Sequence, residues 1–273
     1  MSGPLIVCLC PTYKRPKMLA SMVKCFESQT YENRFLIISD DAGTYIPQEG
    51  DYGRWLLHTT ENRFPDLSTK YNALFANIPY SLVDDWANTS LYDCFREDRQ
   101  MIISVWEDDD IYLPNYLERI ANVWEDHSKF PYQFITFSHV FSNYSCPKDG
   151  TKLIKESAEG RFHASWAYTS ALFKRVRGYK KQGELIFDQD LRHRCLSVPN
   201  VVSNTIRCPR TPSYVYRWGS GSYNGSQAGE ANFAQFNQDL ESLDCPKVGR
   251  LQPEFDKETE EVYRRYTSGE LYD

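Results

Sequence analysis

Four consecutive acids, Glu107, Asp108, Asp109 and Asp110, follow the apolar run Met101 to Trp106 and precede Ile111-Tyr112-Leu113-Pro114. The run reads as a buried strand, so the acids fall at its carboxyl end, the edge at which open α/β sheets bind ligands. Carboxylates this close repel one another unless a positive group sits among them. Mg2+ or Mn2+ fits, because either ion uses one or two protein carboxylates and fills its other positions with water and substrate phosphates. A metal-bound diphosphate is the chemistry these residues point to. The competing reading is a solvated acidic turn that caps the helix starting near Pro114 or Asn115.

Three other clusters have the residue types to serve such a site. Asp188 and Asp190, in Phe187-Asp188-Gln189-Asp190-Leu191-Arg192-His193-Arg194, are two acids two residues apart that sequence alone does not separate. Asp40 and Asp41 close the apolar run Phe35 to Ser39. Pro11-Thr12-Tyr13-Lys14-Arg15 follows the run Leu5 to Cys10 and leads into a helix with Pro16 in its first turn. For each the plainer reading is structural: a helix start, an Asp-rich turn and a helix-entry loop.

The elements that must position these residues alternate. Leu5 to Cys10, Phe35 to Ser39, Trp55 to Thr59 and Met101 to Trp106 are β-favouring runs. Helical patterns lie between and after them, from Pro16 to about Gln29, Leu67 to Ala76 and Asn115 to Asp126. This order predicts a mostly parallel sheet with helices on both faces. Gln133 to Cys146 reads as strand with turns, and Tyr168 to Val176 and Gln189 to Cys195 as helices. Beyond Trp218 a Gly/Ser loop leads to a polar, partly helical tail, which would cover the site as a lid or pack on the surface.

Composition narrows the classes. At 273 residues, with 41% hydrophobic and 25% charged residues, the chain can bury a full core. A net charge of -6 and the lack of a Lys/Arg block exclude general nucleic-acid binding. The eight cysteines form no C-x-x-C pair and read as buried thiols in a reducing compartment. No H-E-x-x-H or paired Cys/His spacing indicates zinc, and no G-x-S-x-G elbow indicates a serine hydrolase. No segment approaches a membrane span or a signal peptide, so the expectation is a soluble, cytoplasmic protein, with a peripheral membrane contact still open.

Read in order, the motifs resemble those of the family 2 glycosyltransferases, inverting sugar-transfer enzymes of the GT-A fold. Leu5 to Arg15 looks like that family's opening strand and Pro-Thr-Tyr-x-Arg loop, and Ser28-Gln29-Thr30-Tyr31 with Leu36 to Asp41 like its second-strand signature. Glu107 to Pro114 looks like its D-x-D region, with Glu107 where Asp is more usual, and Phe187 to Arg194 like its E-D-x-D-L-x-x-R motif. The resemblance implies an α/β, GT-A type fold: a Rossmann-like, mostly parallel sheet flanked by helices, with a C-terminal extension. Its domain would cover 1–223, a nucleotide-sugar half to about 114 and an acceptor half beyond, followed by an extension or lid over 224–273.

The resemblance also implies roles. Pro11, Thr12, Tyr13 and Arg15 would lie against the nucleobase, Asp41 would bond base or ribose, and Lys70 would stand near the nucleotide. Asp109 would be the direct ligand of Mn2+ or Mg2+, with Glu107 assisting and Asp108 contacting ribose or metal-bound water, while Asp110 would cap the next helix. Asp188 would be the catalytic base, with Asp190 as the alternate. The donor would be a nucleoside-diphosphate sugar, most commonly a UDP-sugar, and the acceptor a glycan, a lipid-linked glycan or a small molecule. In the Tyr214 to Asn224 segment Arg217 would pair with phosphate, or else be a surface arginine, and Asn224 stands where some relatives carry a metal-site His. Trp166 and Trp218 are candidate sugar platforms or core residues. The competing classes are a nucleotidyltransferase and a non-catalytic nucleotide- or glycan-binding module of the same fold.

Overall fold

A computed structural model describes residues 3–50, 53–79, 101–142, 153–158, 160–180, 187–208, 212–217, 245 and 247–272. Strand β1 (Ile6–Thr12) is buried along its whole length and pairs in parallel with β2 (Arg34–Asp40) and β5 (Ile102–Val105). A strand covered on both faces needs apolar residues without alternation, which is why Ile6 to Cys10 reads as an unbroken run. β2 pairs in parallel with β4 (Trp55–Thr59), whose other edge carries the short antiparallel β3 (Gln48–Glu49). Helix α1 (Pro16–Glu27) buries Leu19, Met22, Val23 and Phe26 as one stripe, and α2 (Leu67–Ala76) is capped by Asp66, whose side chain accepts from the Thr69 amide at 2.7 Å.

The second half departs from simple alternation. β7 (Gln133–Phe137) follows α3 (Tyr116–Glu125), and β10 (Ala167–Thr169) inserts antiparallel between β5 and β7, while β11 (Val202–Ile206) pairs in parallel with β7. Among the described residues the result is an eight-stranded sheet ordered β11-β7-β10-β5-β1-β2-β4-β3. The helix expected over Tyr168 to Val176 therefore begins two residues late, as α4 (Ser170–Arg175). Tyr168 is drawn into the sheet opposite Ile103 and Phe134, and Thr169 caps the helix. Helix α5 (Phe187–Leu196) spans the Gln189 to Cys195 pattern.

Another sheet, not foreseen from sequence, has the order β6-β12-β8-β9, built from β6 (Ile111–Tyr112), β8 (His139–Ser142), β9 (Ile154–Ser157) and β12 (Tyr214–Tyr216). β5 lies in the first sheet and β6 in the second, so the acidic turn 107–110 bridges them. Under that turn lies an aromatic cluster in which Trp106 stacks on Tyr112 with centroids 3.7 Å apart, and Tyr116 stacks on Phe137 at 4.9 Å. Much of the aromatic content thus serves the core and stiffens the turn.

The C-terminal helix α6 (Lys257–Ser268) is capped by Asp256 and seated against this core. Ser21 donates to Thr259 at 2.7 Å, and the Tyr263 hydroxyl donates to the Tyr112 carbonyl at 2.6 Å. Residues 218–244, including Trp218, Asn224 and the boundary drawn at 223, lie outside the described residues, as do Cys94 and Cys146. Cys8, Cys10, Cys25, Cys195 and Cys208 are buried and unbridged. No described helix is long and apolar enough to cross a membrane.

Candidate active site

The loop after β1 is shaped to turn one guanidinium inward. Lys14 takes a positive φ of 55°, and Arg15 occupies the N-cap position of α1 without bonding its backbone. Its Nη1 instead donates to Asp108 Oδ1 at 2.7 Å and to Asp109 Oδ2 at 2.9 Å. Thr12 Oγ1 donates to the other Asp108 oxygen at 2.6 Å. Burial raises the Asp108 pKa, against the opposing pull of Arg15. Pro11 is buried beside Ser39 at the strand end, while half-buried Tyr13 stacks under the Arg63 guanidinium, 4.5 Å from its ring centroid. A loop far earlier in the chain thus holds two of the four acids in register.

At the end of β2 the paired acids have different partners. Asp40 accepts from the amides of Ala42, Thr44 and Tyr45 at 3.1, 2.7 and 3.2 Å and from Thr59 Oγ1 at 3.1 Å, which closes the turn. Asp41 accepts from the Phe64 amide at 2.9 Å and pairs with Lys70 Nζ at 2.5 Å. Lys70, only 3% exposed, also donates to the Thr12 carbonyl at 2.6 Å, tying α2 to the loop that carries Arg15. Burial lowers its pKa, opposed by Asp41.

Glu107, Asp109 and Asp110 each offer a carboxylate oxygen, and these oxygens all lie within 4.8 Å of one another. Asp108 turns away toward Thr12 and Arg15. Asp110 does not cap α3, whose N-cap Asn115 makes no side-chain cap bond. It instead accepts from the Tyr214 hydroxyl and from the Arg217 amide at 3.0 Å. Burial, followed by the charges of Asp109 and Glu107, raises its pKa well above the carboxylate range. Three hard carboxylate oxygens crowded this closely are a donor set suited to Mg2+ or Mn2+.

Two contacts hold this cluster from behind. Arg217 is 5% exposed, so it is not a surface residue. Its Nε donates to the Asp109 carbonyl, and its Nη1 meets Asp256 Oδ2 at 2.9 Å and Glu258 at 3.5 Å. Burial opposes its charge, yet these two acids leave its pKa raised. On the other side, Glu107 Oε1 lies 3.0 Å from His163 Nδ1, and His163 Nε2 lies 2.7 Å from the Tyr179 hydroxyl. These residues were missed as a network because neither the sequence separation nor any motif connects them. Trp166 is fully buried against His163, with centroids 5.2 Å apart, and is a core residue rather than a sugar platform.

Helix α5 brings the last candidates to the same place. The Phe187 ring lies 5.3 Å from that of His163, so the first turn of α5 packs on the residue that contacts Glu107. Asp190 is paired with Arg194 Nε at 2.7 Å, and Arg194 also donates to the carbonyls of Val176 and Gly178 at 2.6 and 2.8 Å, anchoring the helix. Asp188 is half-buried and accepts from Gln189 Nε2 at 3.3 Å. The Tyr216 phenol feels both groups: burial raises its pKa, and Asp110, Glu107, Asp109 and Asp188 raise it further.

No protein-family model matches the sequence, and no curated protein matches it. Solved structures do align. S. aureus TarS 1–349 in complex with UDP-GlcNAc superimposes with a TM-score of 0.54 and 11% identity, covering 96% of this chain and 72% of that chain. The same TarS fragment without the ligand named gives a TM-score of 0.51 over the same shares at 11% identity. The chain spans 36% of the length of a longer TarS structure. At this identity the likeness speaks to architecture alone, and the architecture is the GT-A type α/β fold with its acidic turn at the sheet's carboxyl edge.

Proposed function

We propose that this chain is a metal-dependent, inverting glycosyltransferase that moves a sugar from a nucleoside-diphosphate sugar to an acceptor hydroxyl. The observation that carries the reading is the meeting of three carboxylates, Glu107, Asp109 and Asp110, with the first turn of α5 at the carboxyl edge of a GT-A sheet. The TarS neighbour was solved with UDP-GlcNAc, which supports a UDP-sugar as donor. Glu107, Asp109 and Asp110 would hold Mn2+ or Mg2+, which supplies Lewis-acid stabilisation of a departing diphosphate.

The protein's own groups do the rest. Pro11, Thr12, Tyr13 and Arg15 form the wall on the nucleoside side, with Asp41 beside it and Lys70 beneath it. Thr12 and Arg15 fix Asp108, which would contact the ribose or metal-bound water. Asp188 takes the proton of the acceptor hydroxyl as the new bond forms at the anomeric carbon and the bond to the diphosphate breaks on the opposite face. The Asp190–Arg194 pair favours Asp188 as base, because the Asp190 carboxylate is already engaged in anchoring the helix.

The test is the product. Incubated with UDP- and GDP-sugars and Mn2+, the protein should release nucleoside diphosphate, and Asp188→Asn should lose turnover by about 10²–10⁴-fold while still binding nucleotide. Release of pyrophosphate would make it a nucleotidyltransferase. Nucleotide binding with equal, slow turnover in both proteins would make it a binding module.

A further inference from the structure

A cavity of about 390 Å³ lies beside α5, over the β7 and β11 edge of the large sheet, with Arg192 and Leu196 of that helix in its lining. Thr136, Ser138, Ser203 and Thr205 line it with hydroxyls, and Arg192 supplies the formal charge. None of its described lining residues is an acid. Arg192 has no hydrogen-bond or ion-pair partner among the described residues, and its Nε is buried without one. The neighbouring arginine of the same helix, Arg194, is by contrast held by Asp190 and two carbonyls. A buried guanidinium N–H left unpaired is unfavourable, and among the described residues none supplies its acceptor.

The backbone makes room for that guanidinium. Gly160 has a φ of +71°, and a Cβ placed there would come within 2.5 Å of Arg192 Nε and 2.8 Å of its Cζ. Any larger residue would displace the side chain, so the glycine is what admits Arg192 to this position. The cavity also has a fixed relation to the candidate base. Asp188 and Arg192 are four residues apart on one helix, which puts their Cβ atoms about 5–6 Å apart on one face.

We propose that this cavity binds a phosphate-type oxyanion through Arg192 and the surrounding hydroxyls. A guanidinium fork matches such an oxyanion in a bidentate way, and serine and threonine hydroxyls satisfy its remaining oxygens. The volume exceeds that of a bare oxyanion and leaves space for the hydroxylated group that carries it. An oxyanion bound there would sit one helical turn from Asp188, so a hydroxyl on the same molecule can reach the base. The acceptor is then a phosphorylated, hydroxyl-rich molecule. The oxyanion site stands on the cavity itself, and only this assignment to the acceptor rests on the transferase reading.

Inorganic phosphate is the probe. At matched ionic strength against chloride, phosphate should raise the melting temperature of the protein, Arg192→Gln should abolish the rise, and Arg192→Lys should keep part of it. An unchanged UDP-plus-Mn2+ shift shows that the variants are folded. A phosphate response equal in wild type and Arg192→Gln, or none in wild type, overturns the site. With turnover established, Arg192→Gln should raise KM at least tenfold for a phosphorylated sugar acceptor and leave KM for its unphosphorylated counterpart unchanged. Loss of the phosphate response with both KM values unchanged assigns the site to a free ion and overturns the acceptor assignment alone.

Discussion

Replacing Lys70 by methionine tests whether the site is held up from below by the Lys70–Asp41 pair. Both side chains are 4% exposed, and Nζ lies 2.5 Å from Asp41 Oδ1. At an effective dielectric of about 20 that separation corresponds to roughly 6–7 kcal/mol of attraction. Desolvation offsets much of it, which is why burial lowers the Lys70 pKa in spite of Asp41. Removing only the cation leaves a buried carboxylate without its partner, at a cost of about 3–5 kcal/mol. Unfolding entropy of about 2.1 cal/mol/K per residue, taken over the 273 residues, gives close to 0.6 kcal/mol/K. Lys70→Met should therefore lower the melting temperature by about 5–9 °C in nucleotide-free protein. The Asp41→Asn, Lys70→Met double variant should recover at least ~1.5 kcal/mol relative to additivity, because the orphaned charge is gone. A drop below about 2 °C in Lys70→Met, or strict additivity, refutes the buried strut and leaves Lys70 as a residue that matters only when nucleotide is bound.

Three further outcomes are expected. Tyr214→Phe removes a hydroxyl donor from buried Asp110 and should destabilise the protein by about 1–3 kcal/mol in urea denaturation; no measurable change would mean that Asp110 does not depend on that bond. Burial would raise the Asp256 pKa, but Arg217 and the Thr259 amide hold it below its usual 3.8, so its stabilisation is complete above that value and is lost as pH falls through the lower folded value. The stability difference between wild type and Asp256→Asn should accordingly be level from neutral pH down to about pH 4 and shrink below it, and a difference that grows on acidification would contradict the assignment. Asp109→Asn should remove most of the rise in melting temperature produced by Mn2+, whereas Asp40→Asn should leave the Mn2+ response in place at lower overall stability; equal Mn2+ responses in wild type and Asp109→Asn would count against the acidic cluster as the metal site.

The βα alternation of the first half and the placing of the acids at strand ends are legible in the residue pattern alone. Ile6 to Cys10, and Ile102 to Val105 apart from Ser104, are apolar on both faces and read as interior strands, and the amphipathic stripe of α1 has one way to bury itself. Motif order was likewise enough for the GT-A fold. The partners of each acid come from the tertiary fold. Asp40 and Asp41, or Asp188 and Asp190, are equivalent by type and spacing, and they differ because Thr59 reaches Asp40 and Lys70 reaches Asp41, and because Arg194, one helical turn on, engages Asp190. Asp110 has the same history: its partners, Tyr214 and Arg217, arrive through a second sheet whose strands are two to four residues long, too short for any periodicity to register. Local pattern reports which face of an element is buried, whereas the charge state and role of a carboxylate depend on neighbours about 3 Å away that the chain delivers from a hundred residues off.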